Sequence, residues 1–151
     1  MKFPFLSTLF LFSCFLYAQA KNIEELLTNY EAATWKSPLE GTFNYRHCTP
    51  AKIKNNTKYP LLVFFHGAGG RGNDSKGQLV DAGGIMAFEK EDLRAKRESY
   101  VFAGQVPKGE RWVDVHWNLL GHSMPKVPSP SMRLAFEALD AFVSDKKNQV
   151  D

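Results

Sequence analysis

The sequence predicts an α/β fold. Three observations carry that prediction. A short, uniformly apolar run at Leu61–Phe65 is closed by a glycine-rich loop, a second such run lies at Tyr100–Ala103, and helically spaced segments follow each of them. Strands alternating with helices give a mostly parallel sheet with helices on its faces. Continuous apolar runs suit strands that are covered on both sides.

The first twenty residues, "MKFPFLSTLFLFSCFLYAQA", are a separate object. Lys2 precedes an apolar run from Phe5 to Tyr17, and Ala18 and Ala20 stand at the two positions a signal peptidase reads before Lys21. This is the pattern of a secretory signal peptide cleaved after Ala20, so the mature chain is expected to be secreted or periplasmic. The run is shorter than the roughly 20 residues of a membrane span, so no stable span is expected after cleavage. Phe12, two positions ahead of Cys14, argues against lipid anchoring at that cysteine.

Residues 21–40 read as an N-terminal helical or extended segment. Ile23, Leu26, Leu27, Tyr30 and Ala33 or Thr34 fall at helical spacing over 22–35, with a stop near Pro38. "GTFNYRHCT" at 41–49 alternates weakly and predicts a strand, and polar "KIKNNTKY" predicts a connection. Leu61–Phe65 then forms the clearest strand, with Pro60 at a position a strand tolerates. "GQLVDAGGIMAFEKEDLRAKRE" reads as helix broken at Gly83 and Gly84. Its charge run at 89–98 carries both signs and predicts a solvated face.

A second buried strand is predicted at Tyr100–Ala103, ending before Pro107. Residues 108–130 read as a long irregular loop holding Trp112, Trp117, His116 and His122. Ser129-Pro130 supplies an N-cap and a first-turn proline for the closing helix. Met132, Ala135, Phe136, Leu139 and Val143, with Phe142 beside them, form its predicted apolar stripe.

Composition excludes some functions. Nineteen basic and sixteen acidic residues give a formal charge of +3. No basic stripe interleaves with aromatics, so no nucleic-acid partner is expected. After signal cleavage Cys48 is the sole cysteine. It is a buried thiol, pairs with another chain, or lacks a partner held on another segment. Asp114, His116 and His122 offer no third ligand at a recognisable spacing, so no metal site is expected.

The glycine loop, "FFHGAGGRGND" at 64–74, suits three chemistries. A phosphate-binding loop needs lysine followed by Ser or Thr, and Lys76 instead follows Ser75. Gly67, Gly69 and Gly72 match a dinucleotide fingerprint, but polar "NDSKG" follows where an apolar helix should begin. An oxyanion hole needs a strand ending in His-Gly and small residues, with a backbone N–H aimed at the developing negative oxygen. A tight turn without chemistry remains the alternative for this stretch taken alone.

Three stretches in order, "YPLLVFFHGAGGRGND" (59–74), "VFAGQVPKGERWVDVHWN" (101–118) and "PSPSMRLAFEALDAFV" (128–143), resemble the α/β-hydrolase superfamily. The resemblance is to the exported esterases and peptidases grouped with polyhydroxybutyrate depolymerases and feruloyl esterases. Gly104 departs from that pattern, standing where a proline is usual. The resemblance covers residues 40 to 151 and implies the N-terminal half of an α/β-hydrolase fold.

In that resemblance His66, Gly67, Ala68, Gly69 and Gly70 are the oxyanion loop, with Ala68 offering the N–H and Gly69 as fallback. Arg71, Asn73 and Asp74 shape the rim, alongside Gly70 and Gly72. Trp112 and Trp117 resemble aromatic residues near the substrate cleft, or else simply anchor the long loop. No cofactor is implied. The partner would be a small-molecule or polymeric ester, such as an acyl ester on polysaccharide.

The nucleophile elbow G-x-S-x-G is absent from the sequence. Ser123 in "GHSMP" lacks the closing glycine and precedes Pro125. The catalytic serine, acid and histidine are therefore expected beyond Asp151, and this chain alone is expected to be inactive. The alternatives are a non-catalytic exported binding module or the product of a decaying gene.

Overall fold

The computed structural model describes residues 23–89 and 91–151. The signal-peptide and Cys14 expectations lie outside them. Residues 23–29 form helix α1, followed by strands β1 (Glu31–Ser37), β2 (Gly41–Cys48) and β3 (Leu61–Phe64). Short helices α2 (Gly77–Val80), α3 (Gly84–Phe88) and α4 (Glu91–Lys96) lead to strand β4 (Tyr100–Gln105). The long helix α5 (Pro130–Ser144) comes last.

The four strands form one sheet in the order β1-β2-β4-β3. The first two pairings are antiparallel, and β3 runs parallel to β4 with Leu62 opposite Val101. The sheet is thus mixed and more antiparallel than the sequence predicts, because β2 runs antiparallel to β4 and the additional strand β1 runs antiparallel to β2.

Its presence corrects the reading of 22–35 as a single helix. The helical spacing is real only as far as residue 29. Beyond it, pairing with β2 from Gly41 to His47, Trp35 opposite Phe43 for example, holds the chain extended. The six residues of β4 are all buried, as befits the strand in the middle of the later pairings.

Alternation along the strands divides the interior into two cores. Tyr100 and Phe102 of β4, with Phe43 of β2, pack under Leu134, Ala135, Ala138 and Phe142 of α5. Val101 and Ala103 turn the other way, to Leu26 and Tyr30 beside Leu79 and Ile85. Leu61 and Val63 join the first core, Leu62 and Phe64 the second, so β3 is covered on both faces as its sequence implies.

Helix α5 starts where predicted. Ser129 Oγ accepts from Met132 N–H at 3.1 Å and donates to Trp112 O at 2.8 Å, with Pro130 in the first turn. Its buried face differs from the predicted stripe. Ser131, Leu134, Ala135, Ala138 and Phe142 are buried, whereas Phe136 and Val143 are exposed. Small residues let the helix axis approach the sheet, and the larger side chains flank the contact.

The charge run at 89–98 is not wholly solvated. Tyr30 Oη donates to Glu89, Glu89 lies 3.7 Å from Arg94, and Arg94 Nη2 donates to Cys48 Sγ at 2.7 Å and Thr49 O at 2.8 Å. Cys48 is a buried thiol, and burial pushes its pKa up. Among the described residues no helix is long and apolar enough to cross a membrane.

Candidate functional site

Strand β3 delivers the chain to the glycine loop at its C-terminal end. Ala68–Gly70 make one helical turn, closed by Gly70 N–H donating to Gly67 O at 3.2 Å. The N–H groups of Ala68 and Gly69 head this turn and have no acceptor inside it. Ala68 is exposed and lines a surface cleft.

None of the loop glycines takes a left-handed backbone; among the described residues only Gly41, Gly83 and Gly109 have positive-φ glycine angles. Crowding, not torsion, requires them here. A Cβ on Gly70 would stand 2.6 Å from the His66 ring. One on Gly67 would stand 2.8 Å from the Asp81 carboxylate, which also closes on Gly69. Asp81, at the start of the turn between α2 and α3, is a site neighbour the sequence reading missed.

His66 is 3% exposed. Its Nδ1 bonds Gly67 O, and its Nε2 accepts from Val106 N–H at 3.0 Å. The ring is therefore neutral with its proton on Nδ1, and both nitrogens are spent on backbone. Burial pushes its pKa below the usual histidine value, against the smaller opposing effects of the Gly67 bond and Asp81. His66 is a structural clasp rather than a base.

Gln105, 1% exposed at the end of β4, ties down the far side of the loop. Its Nε2 donates to Gly70 O at 3.1 Å and to Asp74 Oδ1 at 2.7 Å, and its Oε1 accepts from Ser75 N–H at 2.8 Å. Asp74 also accepts from Lys76 N–H at 2.9 Å and Gly77 N–H at 3.1 Å. The Gln105 bond first, and then these backbone donors, hold its pKa at about 2. Asp74 is thus part of the scaffold behind the loop. Asn73 is exposed.

The two tryptophans have different surroundings. Trp112 Nε1 donates to His66 O at 3.0 Å, and its ring packs edge-on to Phe43 and Phe65. It anchors the loop and also lines an apolar cleft of about 300 Å³ with Met124, Val127, Met132 and Phe136. Trp117 is 60% exposed and lies under Arg71, whose guanidinium carbon is 5.5 Å from the ring centroid. Ala68, Arg71 and Trp117 line a second cleft of about 220 Å³.

The structure therefore brings His66, Gly67, Ala68, Gly69, Gly70, Arg71 and both tryptophans around one loop. Asp74 belongs to its support, and Ser123 is exposed in an irregular stretch. The loop has the parts that could stabilise a developing oxyanion, namely N–H groups fixed by a buried clasp on each side.

No protein-family model matches the chain, and no curated protein matches it. Among solved structures, a thermostable esterase superposes with a TM-score of 0.70 at 25% identity, covering 82% of this chain and 32% of that one. The chain spans about a third of that esterase's length. The four-stranded mixed sheet with flanking helices, and its likeness to this esterase, are consistent with a partial α/β-hydrolase-like fold.

Proposed function

We propose that residues 41–151 form the oxyanion-binding portion of an exported serine-type carboxylic ester hydrolase. Within the α/β hydrolases the assignment is to the polyhydroxybutyrate depolymerase and feruloyl esterase kind, acting on small or polymer-linked acyl esters. The nucleophile, acid and catalytic histidine come from polypeptide outside these residues. The observation that carries this reading is the Ala68–Gly69 pair of N–H groups, heading a helical turn that follows a parallel strand. A likeness to an esterase supports the hydrolase class.

The test begins with the native exported product, captured by an antibody to residues 128–143 and analysed by mass spectrometry. The expected product runs to about 250 residues, the size of a complete domain of this type, and yields peptides beyond Asp151 with a G-x-S-x-G serine. In that protein Ala68→Pro removes the N–H and slows aryl acetate cleavage about 10²–10³-fold, since proline is tolerated at the start of a helical turn. A product ending at Asp151, or turnover indifferent to Ala68→Pro, overturns the proposal.

A further inference from the structure

The cleft of about 220 Å³ beside Ala68 has an unusual lining: Arg71, Arg111, His116, Trp117 and Asn118, with no carboxylate among them. Asp81, packed against Gly67 and Gly69, is not part of it. Arg94 and Arg133 are ion-paired, to Glu89 and Glu40. Arg71 and Arg111 have no carboxylate partner among the described residues.

Both are nevertheless positioned. Arg71 stacks on Trp117, and Arg111 Nη1 donates to Val115 O, which leaves the remaining N–H groups of each fork free of that bond. Two guanidinium groups held this way present planar donor pairs that match an oxyanionic group of substrate. The Trp117 indole forms one wall of this cleft.

We infer that the cleft formed by Arg71, Arg111 and Trp117 selects esters that also carry a carboxylate, held beside the Ala68 N–H. This rests on the hydrolase reading for the word ester, but the binding chemistry stands apart from turnover. The carboxylate can belong to the acid half, as in a dicarboxylic hemiester, or to the alcohol half, as in an acylated hydroxy acid.

The test is a titration of the exported chain, followed by the Trp117 indole N–H resonance, assigned through Trp117→Phe. Monomethyl succinate and O-acetyl lactate probe the two sources, with neutral methyl butyrate and inorganic phosphate as comparators. The expected result is saturable shifts with at least one carboxylate ester, weakened by added salt, and binding about tenfold weaker or more for methyl butyrate. Arg71→Gln and Arg111→Gln each lose a similar factor, and Arg71→Lys recovers part of it, with unchanged amide spectra elsewhere reporting intact folding.

Equal binding of methyl butyrate, or no loss in either glutamine variant, overturns the inference while leaving the hydrolase reading in place. Phosphate binding as tightly as the carboxylates overturns it too, making the cleft a general anion site. Charge-selective binding, with no turnover by the native product, keeps this inference and removes the hydrolase reading.

Discussion

Single side chains decide the shape of the loop, and Gln105 decides most. Its amide satisfies a carbonyl, a carboxylate and an N–H on the loop while itself fully buried. Gln105→Leu leaves those partners unsatisfied and is expected to cost about 3 kcal/mol in denaturant unfolding. Gly70→Ala forces a Cβ against the His66 ring and is expected to cost about 2 kcal/mol, whereas Gly121→Ala, with open space around it, is expected to be neutral. Acid should dismantle the loop in two stages. His66 has a lowered pKa, so its contribution is complete above 6.5 and is lost as pH falls through that lowered value, when Nε2 can no longer accept from Val106. Asp74, lowered from 3.8 to about 2, loses its contribution only across that lower window. Amide exchange at Val106 and at Lys76, followed from pH 7 to pH 2, checks the order. None of this was legible in a pattern of residues. The glycines were visible, but their reason, the His66 ring and the Asp81 carboxylate, depends on chain segments brought together only by folding.

At the level of elements, legibility follows how far each is determined by its own sequence. β3 is readable because both its faces are covered, which demands an unbroken apolar run. β1, "EAATWKS", has largely exposed and half-exposed side chains, and its conformation comes from β2 rather than from its own pattern. In α5 the cap was readable but not the rotation, since alanine and serine at the contact carry little hydrophobic signal. Two substitutions separate these contributions. Ser129→Ala removes an N-cap bond and a bond to the Trp112 carbonyl, and is expected to cost about 1–2 kcal/mol. Phe142→Ala empties a position packed on Tyr100 and Phe102, and is expected to cost about 3–5 kcal/mol, whereas the exposed Val143→Ala should change little. Thermal and denaturant melts of the three variants check the ranking.

For the molecule as a whole, β3 lies at the edge of the four-stranded sheet. Hydrogen-bonding groups alternate sides along a parallel strand, so Leu61 and Val63 direct theirs away from β4. Such an edge recruits other strands. A protein comprising residues 21–151 is expected to self-associate with rising concentration, as read by sedimentation velocity; a monodisperse monomer with a cooperative melt counts against this. One strand already begins to fill the edge. Tyr59 pairs in parallel with Val150, accepting from Asp151 N–H at 3.0 Å and donating to Gln149 O at 2.8 Å. That single bridge acts as a ruler. A strand continued in the same register sets the second residue after Val150 beside Leu61, the fourth beside Val63 and the sixth beside Phe65. At about 3.3 Å per residue, those six residues carry the chain about 20 Å, to the level of Phe65 just ahead of the Gly67–Gly70 turn. The distance from Val150 toward the Gly67–Gly70 turn is thereby written as a count of residues, which any longer form of the protein can be checked against by reading its sequence.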